Sequence, residues 1–171
     1  MSRKALFFDI DGTLLGEFDG RIPESAKEAL KEARRQGHLV FINSGRGYIL
    51  VKPVLEQVET DGALCGCGTC IMIDGKAAYS YHVPYETGIK LRQAIKDYKV
   101  EAVFEGVEGC YFNQEPYRIP EMEELRDSVN RQMGGASLPL EETSYEFDKF
   151  CISADHMSDT KGFFQSIETD F

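Results

Sequence analysis

No stretch of about 18 consecutive apolar residues occurs in this sequence, so nothing in it has the length and character of a membrane-spanning helix. Positive charge is scarce: 19 lysines and arginines stand against 29 acids, a formal net charge of −10. That balance excludes a general nucleic-acid or anionic-membrane binder, because both need basic surface. It does not exclude an anionic substrate, which local donors and a cation can hold against the global field. A secretory leader is not in evidence either. The opening apolar stretch is broken by Asp9 and Asp11 and lacks a small-residue cleavage site. The five cysteines are an odd number and, without a secretory context, read as reduced thiols rather than a disulfide framework. The expectation is a cytoplasmic protein. Repeats and low-complexity tracts are absent too.

At 171 residues with 42% apolar content, the chain can form one ordinary domain or two small ones. Its organising stretch comes early. Ala5-Leu6-Phe7-Phe8 is short, apolar and bounded by polar residues, so it predicts a buried strand. Asp9-Ile10-Asp11-Gly12-Thr13-Leu14 follows, with two carboxylates where the strand ends and a glycine that lets the backbone turn. Open α/β sheets bind ligands at the carboxyl ends of their strands. Two carboxylates so close suggest a divalent cation with oxygen ligands, as Mg²⁺ prefers. The plain alternative is a strand end with solvated acids, and the full D-x-D-G-T-L run after an apolar strand argues against it.

Pro23 suits the first turn of a helix, and Ala26, Ala29, Leu30 and Ala33 share one face, with Gly37 as C-cap. Leu39 to Ile42 is the next strand, giving β-α-β with a right-handed parallel crossover. Asn43-Ser44-Gly45-Arg46-Gly47 then ends that strand. A hydroxyl, two glycines and an arginine at a strand-to-helix turn suit an oxyanion. Alone, such a run is more often just a turn.

Together these two stretches resemble motifs I and II of the haloacid dehalogenase (HAD) superfamily of phosphohydrolases, and among them most resemble the Cof-type sugar-phosphate phosphatases. The resemblance implies a Rossmann-like α/β core with an incomplete parallel sheet and an inserted α+β cap of the C2 type. It implies that Asp9 is the nucleophile taking up the phosphoryl group and Asp11 the general acid/base. Both would help hold Mg²⁺, Asp9 by its carboxylate and Asp11 by its backbone carbonyl. Gly12, Thr13, Ser44, Gly45 and Arg46 would bind the substrate, a small phosphorylated metabolite. The implied division is a core over residues 1–82 and a cap over 83–171. A phospho-acceptor receiver domain also uses an aspartate and Mg²⁺, but its acids are arranged differently in sequence.

Beyond motif II, Tyr48, Val51, Val54, Leu55 and Val58 form a helical stripe interrupted by Pro53, where a short turn or kink is expected. Asp61-Gly62 is a turn, Ala63 to Cys65 a third strand, and Asp74-Gly75 the turn of a hairpin. Cys65, Cys67 and Cys70 lie in a C-x-C-x-x-C run with no second cluster and no nearby histidine, so structural thiols are favoured over a metal or redox role. The resembling family usually has an Asn-Gly-Ala-like turn there, where this chain has Cys67-Gly68-Thr69. His82-Val83-Pro84 reads as a linker. Helices are then expected over 86–98, from Pro120, and after Ser158 as cap, with Ile89, Leu91, Ile95 and Tyr98, then Met122, Leu125, Val129 and Met133, and finally Phe163, Phe164 and Ile167 as apolar positions. Strands are expected over 100–105, 110–113 and 149–154.

Two further family motifs find no match: the lysine that balances charge, and the acids that complete the metal site. Lys161-Gly162 resembles the lysine motif only superficially and falls in an amphipathic helix pattern. In the family the remaining core strands pair beside the strand ending in Asp9, so this chain is expected to be an N-terminal portion, completed by a C-terminal segment or by a second chain as in a dimer. The alternatives to hydrolysis are a phosphomutase-type phosphotransferase and a catalytically incomplete fragment acting as a binding or assembly module.

Overall fold

The structure is a computed structural model that describes residues 2–16, 21–133, 137–139 and 146–170. It divides into two compact units, Met1–Tyr81 and His82–Phe171.

In the first unit the expected strand forms as β1 (Ala5–Phe8), but at the edge of the sheet rather than buried: Ala5 and Phe7 are exposed and Leu6 and Phe8 half-buried. The chain then reaches α1 (Glu24–Arg35), and Pro23 is the N-cap of this helix rather than its first residue. Glu24 in the first turn and Arg34 and Arg35 in the last complement the helix dipole. The helix ends in a Schellman arrangement: Gly37 N–H donates to Arg34 O and His38 N–H to Ala33 O, with Gly37 at φ +87°. Leu30 is the buried anchor of α1, whereas Ala29, expected on the same face, is exposed. Strand β2 (Leu39–Asn43) follows, then α2 (Tyr48–Leu55). Pro53 lies inside α2, and the helix stops two residues later, so Val58 falls outside it while remaining buried. The missing proline N–H removes one bond of the helical ladder there.

Strands β3 (Gly62–Cys65), β4 (Cys70–Ile73) and β5 (Lys76–Ser80) complete the sheet. Its order is β1-β2-β3-β4-β5; the first three strands are parallel and the last three antiparallel. Asp74 and Gly75 both have positive φ, 48° and 73°, as a two-residue hairpin turn requires. The core beneath is built from Ile10, Leu14, Leu30, Val40, Ile42 and Val51 with their neighbours. Among the described residues β1 is an edge strand, with Phe7 55% exposed and stacked on Phe41 at 5.1 Å.

The second unit begins where a linker was expected. Val83 N–H donates to Phe147 O, and His82 Nδ1 lies 2.6 Å from Asp148 Oδ1, so this stretch is tied down across about sixty residues of sequence. Pro84 precedes α3 (Tyr85–Asp97), followed by β6 (Glu101–Glu105), β7 (Cys110–Phe112), α4 (Pro120–Met133), β8 (Ser137–Pro139), β9 (Lys149–Ser153) and α5 (Thr160–Asp170). The sheet order is β8-β7-β6-β9. Leu91, Ile95, Phe104, Tyr111, Phe147 and Phe163 form its main apolar cluster. Buried Glu101 accepts the N–H groups of Arg118 at 2.7 Å and Ile119 at 3.0 Å, and so fixes the chain as it enters α4.

Two expectations change here. The N-cap of α5 is Asp159, whose Oδ1 accepts Gly162 N–H at 2.9 Å; Ser158 instead donates to Lys99 O. Leu125, expected to face inward, is exposed, and so are the apolar positions Ile89 and Phe164. Lys161 is an exposed lysine on α5. Gly134-Gly135, which by composition would end α4, the side chain of Met133, the stretch 140–145 and residues 17–20 after motif I lie outside the described residues.

Candidate active site

Immediately after β1 the backbone tightens around one carbonyl. Ile10 O accepts the N–H groups of Thr13, Leu14 and Leu15 at 3.3, 3.1 and 2.8 Å. Ile10 and Leu14 are driven into the core, at 0% and 5% exposure, and this burial decides which way the acids face. Asp9 and Asp11, which flank Ile10, are left exposed at the carboxyl end of the strand. Gly12 turns the chain at φ +72°, a conformation that a side chain resists. Thr13 is exposed beside it.

The end of β2 supplies the second part. Ser44 is buried, its N–H donating to Leu64 O at 2.9 Å. Its hydroxyl oxygen accepts Arg46 N–H at 3.2 Å, which closes a tight turn and leaves the hydroxyl proton to donate elsewhere. Arg46 reaches across to motif I. Its Nη2 is 2.5 Å from Asp11 Oδ1 and its Nε 2.9 Å from Asp11 Oδ2, a two-pronged pair across 35 residues of sequence. The structure therefore brings Asp11, Ser44, Gly45 and Arg46 together. Arg46, expected on the substrate, is engaged with Asp11 instead. Asp9 makes no hydrogen bond or ion pair among the described residues.

A third segment was not assigned to the site from sequence. The short 3₁₀ turn Gly66–Gly68, between β3 and β4, bonds to the motif II loop: Gly66 N–H donates to Arg46 O at 2.7 Å and Cys67 N–H to Ser44 O at 3.5 Å. Cys67 is exposed, sits in the left-handed region at φ +58°, and its Sγ lies 3.5 Å from where a Cβ on Gly45 would be. The available signal was the departure of Cys67-Gly68-Thr69 from the turn usual in the resembling family.

Among the described residues no group of three or more His, Cys, Asp and Glu side chains is placed to hold a metal ion. None of the three thiols of the C-x-C-x-x-C run is in a disulfide, and burial pushes that of Cys65 up to about 12. Hard oxygen donors are present at Asp9 and Asp11. Two such residues fit Mg²⁺, which commonly takes one or two carboxylates and fills its remaining positions with water and phosphate oxygens.

Comparison with known proteins bears on these features. The family model for haloacid dehalogenase-like hydrolases matches residues 6–171. Putative phosphatase YkrA of Bacillus subtilis (strain 168) is 36% identical over 104 residues, which is 61% of this chain and 40% of that protein. Pyridoxal phosphate phosphatase YbhA of Escherichia coli (strain K12) is 32% identical over 83 residues, 48% of this chain and 28% of that protein. The solved structure of the HAD subclass IIB sugar phosphatase BT4131 superposes with a TM-score of 0.63 at 20% identity, over 96% of this chain and 75% of that one, and shares the fold. The matches span well under two thirds of these two curated relatives.

Proposed function

The chain belongs to the haloacid dehalogenase-like hydrolase family, in its Cof-type branch, and on that premise we propose that it carries the nucleophile half of a phosphomonoesterase site for small phosphorylated metabolites. The observation that carries this reading is the contact of Arg46 with Asp11, which gathers an exposed aspartate pair, a buried serine hydroxyl and a guanidinium at the ends of two adjacent parallel strands.

In the proposed reaction a carboxylate oxygen of Asp9 attacks phosphorus in line. The new O–P bond forms as the bond to the substrate's leaving oxygen breaks, giving an aspartyl-phosphate. Asp11 delivers a proton to the departing alkoxide, then removes one from the water that hydrolyses the acyl phosphate. The Ser44 hydroxyl donates to a phosphoryl oxygen, and its geometry is fixed by the Arg46 N–H it accepts. Arg46 has two jobs in sequence: it orients Asp11, and it shares its remaining donors with the phosphate. Asp9 and Asp11 would hold Mg²⁺, which when bound offsets phosphate charge and polarises the phosphorus centre. The relatives named as phosphatases of pyridoxal phosphate and of sugars support a small phosphorylated substrate.

The test is turnover of p-nitrophenyl phosphate with and without Mg²⁺. Release of phosphate that needs the cation and is abolished by Asp9→Asn supports the reading. Turnover unaffected by Asp9→Asn overturns it. With a sugar phosphate as substrate, transfer of the phosphoryl group to a second sugar hydroxyl, rather than to water, would make the activity that of a phosphomutase.

A further inference from the structure

The three thiols around the Gly66–Gly68 turn differ sharply in access. Cys65 and Cys70 are fully buried and face each other as partners across the β3–β4 ladder. Cys67 alone is exposed, at the turn between them. Cys67-Gly68-Thr69-Cys70 thus sets one accessible and one protected thiol at C-x-x-C spacing, with two small or flexible residues between. The turn is also not free to move alone. Its amides at Gly66 and Cys67 bond to the carbonyls of Arg46 and Ser44, and the Cys67 sulfur lies against Gly45.

From this placement we infer that Cys67 and Cys70 form a reversible thiol–disulfide pair, with Cys67 as the oxidant-reactive thiol and Cys70 as the resolving one, and that closing the bond disturbs the Ser44–Arg46 loop. The oxidant is a small peroxide. The Cys67 thiolate attacks one peroxide oxygen; the S–O bond forms, the O–O bond breaks, and hydroxide leaves to be protonated to water. The Cys70 sulfur then attacks Cys67; the S–S bond forms, the S–O bond breaks, and a second water leaves. Two thiols and one hydrogen peroxide become one disulfide and two waters. Cys70 is the resolving group rather than Cys65 because two residues separate it from Cys67, whereas a bridge to Cys65 would span the single residue Gly66 and strain the bond.

Bridging Cys67 and Cys70 demands a narrow range of separations and dihedrals. Drawing Cys67 into that range reshapes the Gly66–Gly68 turn, and the bonds from Gly66 and Cys67 to the motif II loop then weaken. The second half of the inference rests on the phosphatase reading, since it concerns the loop that reading assigns to phosphate.

The experiment treats the full chain with hydrogen peroxide and maps cysteines by differential alkylation and mass spectrometry, alongside amide hydrogen exchange. A Cys67–Cys70 disulfide is expected, reversed by dithiothreitol, retained in Cys65→Ala, and replaced in Cys70→Ser by a dimedone-reactive Cys67. Exchange at Gly66 and Cys67 should accelerate in the oxidised chain, and orthophosphate binding with Mg²⁺ should weaken about tenfold, the worth of one lost charge-assisted hydrogen bond. A Cys65–Cys70 bond with Cys67 still free, or no disulfide at all, overturns the pair. A Cys67–Cys70 bond with unchanged exchange at Gly66 and Cys67 overturns the coupling to the loop. Failure of the reduced chain to bind orthophosphate counts against the phosphatase reading alone, because the disulfide map and the exchange rates do not depend on it.

Discussion

The guanidinium of Arg46 grips both carboxylate oxygens of Asp11, at 2.5 and 2.9 Å, and this pair joins the two motifs on which the proposed chemistry depends. A planar fork matched to a carboxylate is specific to arginine. Arg46→Ala is therefore expected to lower kcat/KM for p-nitrophenyl phosphate by roughly ten- to a hundredfold, the cost of one or two charge-assisted hydrogen bonds. Arg46→Lys should restore only part of it, because an ammonium cannot hold both oxygens at once. Steady-state kinetics of the two variants would check this; full activity in Arg46→Ala would remove Arg46 from the site.

Asp9→Asn should eliminate turnover, a loss of about a thousandfold or more for a covalent nucleophile. The substitution adds no bulk and leaves the exposed position soluble, so the thermal unfolding midpoint should stay close to that of the parent. Paired kinetics and melting curves separate the lost chemistry from a lost fold.

Asp61 was read from sequence as part of a turn with Gly62, but Gly62 is the first residue of β3 and Asp61 leads into it, receiving Arg34 Nε at 3.2 Å, Arg34 Nη2 at 3.1 Å and Val40 N–H at 2.8 Å. The Arg34 hydrogen bonds hold its carboxyl below the usual range. A carboxyl with a depressed folded value contributes stability above its unfolded value, and loses it as pH falls through the folded one. Asp61→Ala should cost about 2 kcal/mol at neutral pH, with the gap to the parent narrowing below about pH 4. Chemical denaturation across pH 2 to 7, on the order of one point per unit, would measure it.

Asp148 should behave oppositely. Burial raises its carboxyl above the usual range, outweighing the hydrogen bond from His82, with nearby Glu146 adding to the rise; one of its oxygens is buried without a partner. A raised value means that stability is full below the unfolded value and declines as pH rises through the folded one. The stability of Asp148→Asn relative to the parent should accordingly improve as pH rises from about 4 to about 7. The same denaturation series reads this out, and a gap that moved the other way would count against it.

Gly62 is packed so closely that a Cβ would lie 2.3 Å from Met72 O, with Ile73 and Phe41 carbons at 3.1 Å. The backbone of the neighbouring strand cannot yield cheaply, so Gly62→Ala is expected to destabilise by about 1–3 kcal/mol. Equilibrium unfolding of that single variant is sufficient.

Much of this architecture was legible in the sequence because its signals are local. Gly37 ends α1, and Asp74-Gly75 turns the hairpin, by rules that concern a few neighbouring residues. Motif I was legible for the same reason, since Ile10 and Leu14 face inward at a spacing that leaves Asp9 and Asp11 outward. What escaped was set by distant partners. Nothing around His82 announces Asp148, and nothing around Asp61 announces Arg34. Ser158 and Asp159 are both good caps, and which one serves α5 depends on Lys99 O, which takes the Ser158 hydroxyl. Arg46 was given to the substrate because a sequence shows which groups attract anions, not which anion lies nearest.

Strand β1 is hydrogen-bonded to β2 on one side, and among the described residues to no strand on the other. The carboxylate proposed to make the covalent bond thus follows an edge strand of the sheet. Its aim is only as steady as a single ladder of four paired residues, Ala5 to Phe8 against Leu39 to Ile42. Whatever docks along that open margin would act as a tuning peg: tightening it would sharpen the nucleophile's line of attack, and loosening it would blur catalysis before any unfolding registered.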